Sequence, residues 1–242
     1  MYETFSADYD RFNNWKQRLD FEMPFILRQI ESLQRQPGQP LSILDSACGT
    51  GMHAIALARL GHQVSAADLY PQMVEHGLEN ARAASVQVNF ATAGFGKMAM
   101  TFPKASFDLL LCLGNSLPHL LTLEDLQVTL LDFTACLRPG GLLLVQNRNF
   151  DALMQTHDRW MEPQSSDEGD TEWVFQRFYD FLPDDTIRFN IFVLRRTLRS
   201  AWHASVVSTT LRPQFQVDLE SELTSAGFSS IKTFGSMQGE PF

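Results

Sequence analysis

The chain has 242 residues and a mass of 27.4 kDa, enough at roughly 100–200 residues per domain for one large domain, or one domain with an insertion. With 44% hydrophobic and 19% charged residues it is too apolar for a disordered chain, and 19 Lys plus Arg against 28 Asp plus Glu, a net charge of −9, is the wrong sign for tracking a phosphate backbone. The acidic amino terminus is not a basic-then-apolar leader, no apolar run approaches the roughly 20 residues of a membrane span, and Cys48, Cys112 and Cys136 are too far apart for a disulfide framework or metal cluster, so a cytoplasmic protein without nucleic-acid or membrane partners is expected.

Residues 1–40 read as helical, with Trp15, Leu19, Met23, Ile26, Leu27, Ile30 and Leu33 recurring mostly every three or four positions, and Pro37-Gly38-Gln39-Pro40 stops the run. Apolar runs at 41–44, 63–67, 86–91, 107–113 and 142–146 then alternate with helical patterns at 51–60, 71–84 and 122–137, as in a parallel sheet with crossover helices. Gly61 closes the first of these helices. Thr122-Leu123-Glu124-Asp125 opens the last, resembling a capping box with aspartate for the usual glutamate. Residues 94–106 read mostly as loop. Beyond Phe150, an acidic, Ser- and Gly-containing stretch at 156–171 reads as a solvated loop or a lid. Three aromatic strand candidates follow at 173–182, 186–198 and 202–212, then a helix at 217–226 and a last strand at 228–234. In the second candidate Ile187, Phe189, Ile191 and Val193 alternate with Arg188 and Asn190, so one side of it faces a core.

The fold class is therefore α/β, a Rossmann-like doubly wound mostly parallel sheet with an antiparallel β insertion covering the active site. The expected units are an N-terminal helical cap (1–40), a cofactor-binding core (41–150), the substrate-covering insertion (151–212) and a return to the core sheet (213–242).

Ile43-Leu44-Asp45-Ser46-Ala47-Cys48-Gly49-Thr50-Gly51 is a strand running into a glycine turn and a helix. Glycine there lets backbone pass close to a ligand, having no Cβ. Asp68 ends the second apolar run, so a doubly wound sheet sets it and Asp45 at the carboxyl ends of adjacent strands, beside the ligand crevice. Gly49-x-Gly51-x-x-Ala54 also satisfies the dinucleotide fingerprint, but Asp45 just before the glycines would repel a pyrophosphate. A cationic nucleoside suits the turn better than NAD: S-adenosylmethionine offers an ammonium, a sulfonium and a ribose.

This set resembles the first two motifs of the class I S-adenosylmethionine-dependent methyltransferases. The resemblance implies that Gly49 and Gly51 line the methionine end of the cofactor, that Asp45 orients its amino group and that Asp68 holds the ribose, with Ala47, Leu69 and Leu113 alongside. The family often places an acid after the third strand; here Gly94-Phe95 stands there, so Phe95 offers apolar contact to the adenine or is an ordinary core aromatic. Tyr9, Trp15 and Arg18 occupy a segment that in the family folds over the cofactor.

Asn115 and His119 follow six apolar positions of the fourth run, at the strand end where the transferred methyl is expected. Cys112-Leu113-Gly114-Asn115-Ser116 with His119 after two further residues, Arg138-Pro139-Gly140-Gly141, and Asn147-Arg148-Asn149-Phe150-Asp151 are similar to glycine and sarcosine N-methyltransferases, over most of residues 5–150. By that resemblance Arg148 grips the substrate carboxylate. Asn115 would accept from the acceptor amine, and His119 would take its proton or orient it. The plainer readings are a surface pair of Arg148 with Asp151 and a backbone-bonded His119. The other histidines are too scattered for a metal site.

The expected activity is methyl transfer from S-adenosylmethionine to a small-molecule acceptor, the amine of glycine or a related amino acid. O- or C-methylation of a larger metabolite, a non-catalytic cofactor- or partner-binding protein, a nucleic-acid methyltransferase and an NAD enzyme are the competing readings, and self-association is left open. Class I members usually add an antiparallel strand between the fifth and sixth, whereas here the sequence stops after the sixth. Loss of terminal residues is the expectation, its sign being a fifth strand with no neighbour on that side.

Overall fold

The computed structural model describes residues 2–34, 36 and 38–242. The N-terminal helical run is two helices, α1 (Tyr2–Phe12) and α2 (Trp15–Leu33). Asn14 makes the break: its side-chain oxygen accepts from the Gln17 N–H at 3.1 Å, and asparagine is among the best residues for starting a helix. Pro37, expected among the residues that stop this run, lies outside the described residues; α2 already ends at Leu33, with Gln34 extended.

The core alternates β1 (Ser42–Asp45), α3 (Met52–Arg59), β2 (Gln63–Asp68), α4 (Pro71–Ala83), β3 (Asn89–Thr92), α5 (Met98–Thr101), β4 (Phe107–Cys112), α6 (Leu123–Cys136) and β5 (Leu137–Val145). The strands pair in the order β3-β2-β1-β4-β5, all parallel. Strand side chains alternate between faces: Leu44 and Leu110 join Phe133 of α6 in one buried cluster, while Ile43, Leu109 and Leu111 join Ile26 of α2 and Leu57 of α3 in another. The order reverses between β1 and β4, which opens a crevice beyond their carboxyl ends. Thr122 starts α6 as expected, accepting from the Asp125 N–H at 3.1 Å.

A second sheet follows α7 (Phe150–Thr156). It is antiparallel, with β6 (Gln164–Glu168), β7 (Thr171–Phe181), β8 (Ile187–Thr197) and β9 (His203–Leu211) in sequential order. The stretch 156–171 is thus not simply a charged loop, because Gln164–Glu168 pairs with β7. A sheet-edge strand has an open side facing water, so polar side chains do not prevent its pairing. On one face of this sheet the register aligns Phe175 with Val193, Arg177 with Ile191 and Tyr179 with Phe189, then Ile191 with Val207 and Phe189 with Thr209.

After α8 (Gln216–Ser225) the expected strand at 228–234 does not form. Phe228 packs into the cluster around Phe133, Phe234 meets Phe25 of α2 edge-on at 5.2 Å, and Ser230 adopts φ +57, which breaks an extended run. The segment keeps only an isolated bridge from Phe234 to Pro241. Among the described residues no strand pairs with the outer edge of β5, and no helix is long and apolar enough to cross a membrane.

Candidate active site

The turn after β1 is tied to both neighbouring strands. Ser46 N–H donates to the Leu111 carbonyl and Cys48 N–H to the Ala67 carbonyl, each at 2.9 Å. Asp68 braces it from β2, one carboxylate oxygen accepting from Gly49 N–H at 2.8 Å and the other from Tyr70 N–H at 3.0 Å. Gly49 has φ +54, and a Cβ there would sit 3.1 Å from the Tyr9 ring. Asp45 is 2% exposed and its Oδ1 has no hydrogen-bond partner. Burial, reinforced by the charge on Asp68 and opposed by His53, pushes its carboxyl up to about 6.

These groups open on a cleft of about 540 Å³, where Ala47, Asp68, Leu69, Phe95 and Leu113 stand as expected from the sequence. A buried carboxylate oxygen without a donor fits an ammonium group. The free lone pairs of Asp68 suit ribose hydroxyls, and Leu69, Phe95 and Leu121 offer apolar walls to a flat base. Phe95 also packs edge-on against Phe133 at 5.8 Å, so it is a core aromatic that reaches the cleft wall. Gly51 is the exception. It does not line the cleft; it starts α3 in the left-handed region at φ +79, and a Cβ there would lie 2.7 Å from the Phe90 ring. The glycine is required by packing under the turn.

A second cleft, of about 560 Å³, is bounded by α1 and α2, by the segments following β4 and β5, and by the second sheet. Asn115, His119 and Arg148 all line it, as do Gln146, Asn147, Arg177 and Tyr179. Asn115 is built into the frame of this cleft. With φ +64, its side-chain oxygen accepts from the Arg148 N–H at 2.9 Å and its own N–H donates to the Gln146 carbonyl at 3.0 Å. That oxygen thus fixes the backbone that carries Arg148 and keeps a second lone pair. Arg148 does not pair with Asp151, whose carboxylate takes the Gln216 N–H at 3.0 Å; its guanidinium reaches Met161 Sδ at 3.3 Å and hydrogen-bonds Tyr179. His119 ends a short 3₁₀ turn, with Nδ1 3.5 Å from Thr209 Oγ1. Burial lowers its titration to about 4, so the imidazole is neutral at physiological pH.

Tyr9, Arg18, Gly114 and His119 line both clefts. A Cβ on Gly114 would come within 3.1 Å of the Arg18 guanidinium, so glycine there admits that side chain. Arg18 Nε lies 3.1 Å from both oxygens of Glu22, which also accept from Gln146 Nε2 at 2.9 Å and meet His53 Nε2 at 2.6 Å. Trp15 covers this group, its ring edge-on to His53 at 5.9 Å and beneath Arg18 at 5.1 Å. Asp10 pins the cap to the core, accepting from Trp15 Nε1 at 2.7 Å, Thr50 Oγ1 at 2.5 Å and Asn80 Nδ2 at 3.1 Å.

Glu22, His53, Gln146 and Arg177 were missed from the sequence. Two signals pointed to them. Glu22 follows Arg18 by one helical turn on the stripe that continues to Phe25 and Ile26, and Arg177 interrupts the alternation Trp173, Phe175, Tyr179, where a charge on an otherwise apolar face calls for a partner or a ligand.

Residues 43–141 match the family model of a methyltransferase domain. The chain is 28% identical to a glycine/sarcosine/dimethylglycine N-methyltransferase of Actinopolyspora halophila, over 79% of its own length and 34% of that protein. It is 31% identical to a glycine/sarcosine N-methyltransferase of Parasynechococcus marenigrum, over 63% of its own length and 52% of that protein. It thus spans about a third and about half of these two relatives. The crystal structure of an S-adenosylmethionine-dependent methyltransferase from Clostridium acetobutylicum superposes with a TM-score of 0.76 at 17% identity, covering 100% of this chain and 93% of that one, and so shares the fold.

Proposed function

We propose that the chain is a class I S-adenosylmethionine-dependent methyltransferase that transfers a methyl group from that cofactor to the amine of a small amino acid, a reading supported by the matched methyltransferase domain and the shared fold. The observation that carries this reading is the meeting of two clefts of opposite character. One ends on the buried Asp45, whose Oδ1 has no hydrogen-bond partner; the other holds Arg148, which has no ion pair among the described residues. His119 and Arg18 stand in the wall between them.

S-adenosylmethionine supplies, when bound, an electrophilic methyl on a sulfonium. Asp45 receives the ammonium of the cofactor's methionine portion and Asp68 its ribose. Arg148 clamps the acceptor carboxylate with parallel hydrogen bonds, a geometry that also aims the amine. Asn115 fixes the backbone of Arg148 and so sets that aim. His119, neutral, accepts a hydrogen bond from an amine N–H and turns the nitrogen lone pair away from itself. It is too weak a base to store a proton at pH 7, so the ammonium proton leaves to solvent before the N–C bond forms. What the residues supply is positioning and exclusion of water rather than a strong base.

The test combines calorimetric titration with S-adenosylhomocysteine and transfer of labelled methyl to glycine, sarcosine and a panel of phenols. The expected outcome is binding of S-adenosylhomocysteine, methylated amines, and loss of that transfer in Arg148→Met. Methylation of phenols but of no amine would overturn the choice of acceptor, and absence of cofactor binding would overturn the whole.

A further inference from the structure

Among the charges facing the acceptor cleft, Glu22 is matched by Arg18 and by hydrogen bonds from His53 and Gln146. Arg148 and Arg177 remain, and neither has a carboxylate partner among the described residues. Arg177 sits where the strand pattern calls for an apolar residue, opposite Ile191 and between Phe175 and Tyr179 on one face of β7. Its guanidinium carbon lies 5.1 Å from the Phe12 ring centroid, and its Nε is buried with no acceptor. Burial first, then the like charge of Arg148, lowers its affinity for its proton. Two guanidiniums facing one partly dry cavity without an anion repel each other.

The same cleft holds further unfilled polar atoms. Both amide atoms of Asn147 and Oε1 of Gln164 are buried without partners. Buried polar groups are nearly always bonded, so this concentration around one cavity marks places for ligand atoms. A cavity of about 560 Å³ also exceeds what glycine needs, since sites in the range of roughly 300–1,000 Å³ take ligands of drug size.

Resting on the amino-acid reading above, we infer that the methyl acceptor is an amine carrying two acidic groups, the first held by Arg148 and the second, a carboxylate or a phosphate, by Arg177. A mono-acid such as glycine fills the first position and leaves the second guanidinium uncompensated.

The experiment pairs dianionic amines with neutral isosteres: aspartate with asparagine, glutamate with glutamine, O-phosphoserine with serine, and glycine as reference. Each is titrated calorimetrically into protein saturated with S-adenosylhomocysteine, and its kcat/KM is measured with labelled cofactor. At least one dianion is expected to exceed its isostere by about tenfold to a hundredfold, the worth of a charge-assisted hydrogen bond. The aspartate and phosphoserine arms tell carboxylate from phosphate. Arg177→Met should bring each dianion down to the level of its isostere, a far larger change than any it makes to glycine, and Arg177→Lys should retain part of the preference. Equal or better use of the neutral isosteres refutes the inference, as does a loss in Arg177→Met that falls equally on glycine and the dianions. If S-adenosylhomocysteine binds but no amino acid of either set is bound or methylated, the amino-acid reading itself has failed, and this one with it.

Discussion

Glu22 is the joint between the helical cap and the sheet, and replacing it with glutamine tests how much that joint is worth. The side chain is nearly isosteric, so the perturbation removes charge rather than volume. The carboxyl is 5% exposed. Burial alone would raise its titration, but hydrogen bonds from His53 and Gln146 and the charge of Arg18 more than offset this and hold it at about 2 against an ordinary 4.5. At about 1.36 kcal/mol per decade of proton affinity, the ionised form contributes about 3 kcal/mol to folding. Because the folded value is depressed, that contribution is complete above pH 4.5 and fades as pH falls toward 2. Urea unfolding followed by tryptophan fluorescence at a series of pH values reads it directly. Glu22→Gln should lose about 3 kcal/mol at pH 7, or about 6–12 °C in Tm for a chain of this size, and the gap from the parent should narrow below pH 4.5. A loss of under about 1 kcal/mol, or a gap that does not change with acidification, would show that the network is not coupled to folding.

Two further substitutions probe the turn. Asp45 titrates upward, from 3.8 to about 6, so its protonated form favours folding and the charged form costs about 3 kcal/mol once pH exceeds 6; Asp45→Asn should therefore stabilise the ligand-free protein at pH 8 while weakening S-adenosylhomocysteine binding by about tenfold or more, and a variant that is less stable and binds normally would refute the assignment. Gly51→Ala must place a Cβ 2.7 Å from the Phe90 ring at φ +79, whereas Gly61→Ala, at φ +89, meets only open space. The first should cost about 2–3 kcal/mol more than the second, as compared by thermal denaturation, and equal losses would show that backbone strain alone decides both.

The centre of the parallel sheet was legible because β1 and β4 are buried on both faces and read as uninterrupted apolar runs, such as Leu109 to Cys112. In the antiparallel half β7, β8 and β9 were legible from their aromatic and β-branched residues, while β6, with Gln-Ser-Ser-Asp-Glu in a partly exposed edge position, carries no hydrophobic signal. The segment 228–234 misled because its apolar residues pack without strand pairing, Phe228 on the cluster around Phe133 and Phe234 on Phe25 of α2. At the site, Asp45, Gly49 and Asp68 could be placed from local order along the chain. The pairing of Glu22 with His53 and Gln146, and the approach of Arg177 to Arg148, depend on packing between elements that no local pattern encodes.

The partition made by Tyr9, Arg18, Gly114 and His119 has a thermodynamic corollary. A ligand that orders this partition from one side prepares it for the ligand on the other, and linkage obliges the two affinities to rise by the same factor. Two of its four members, Tyr9 and Arg18, belong to the amino-terminal helices, so either molecule meets the same cap. On the proposed function, screens for methyl acceptors run without nucleoside present would then report affinities lower by that factor than those of the ternary complex.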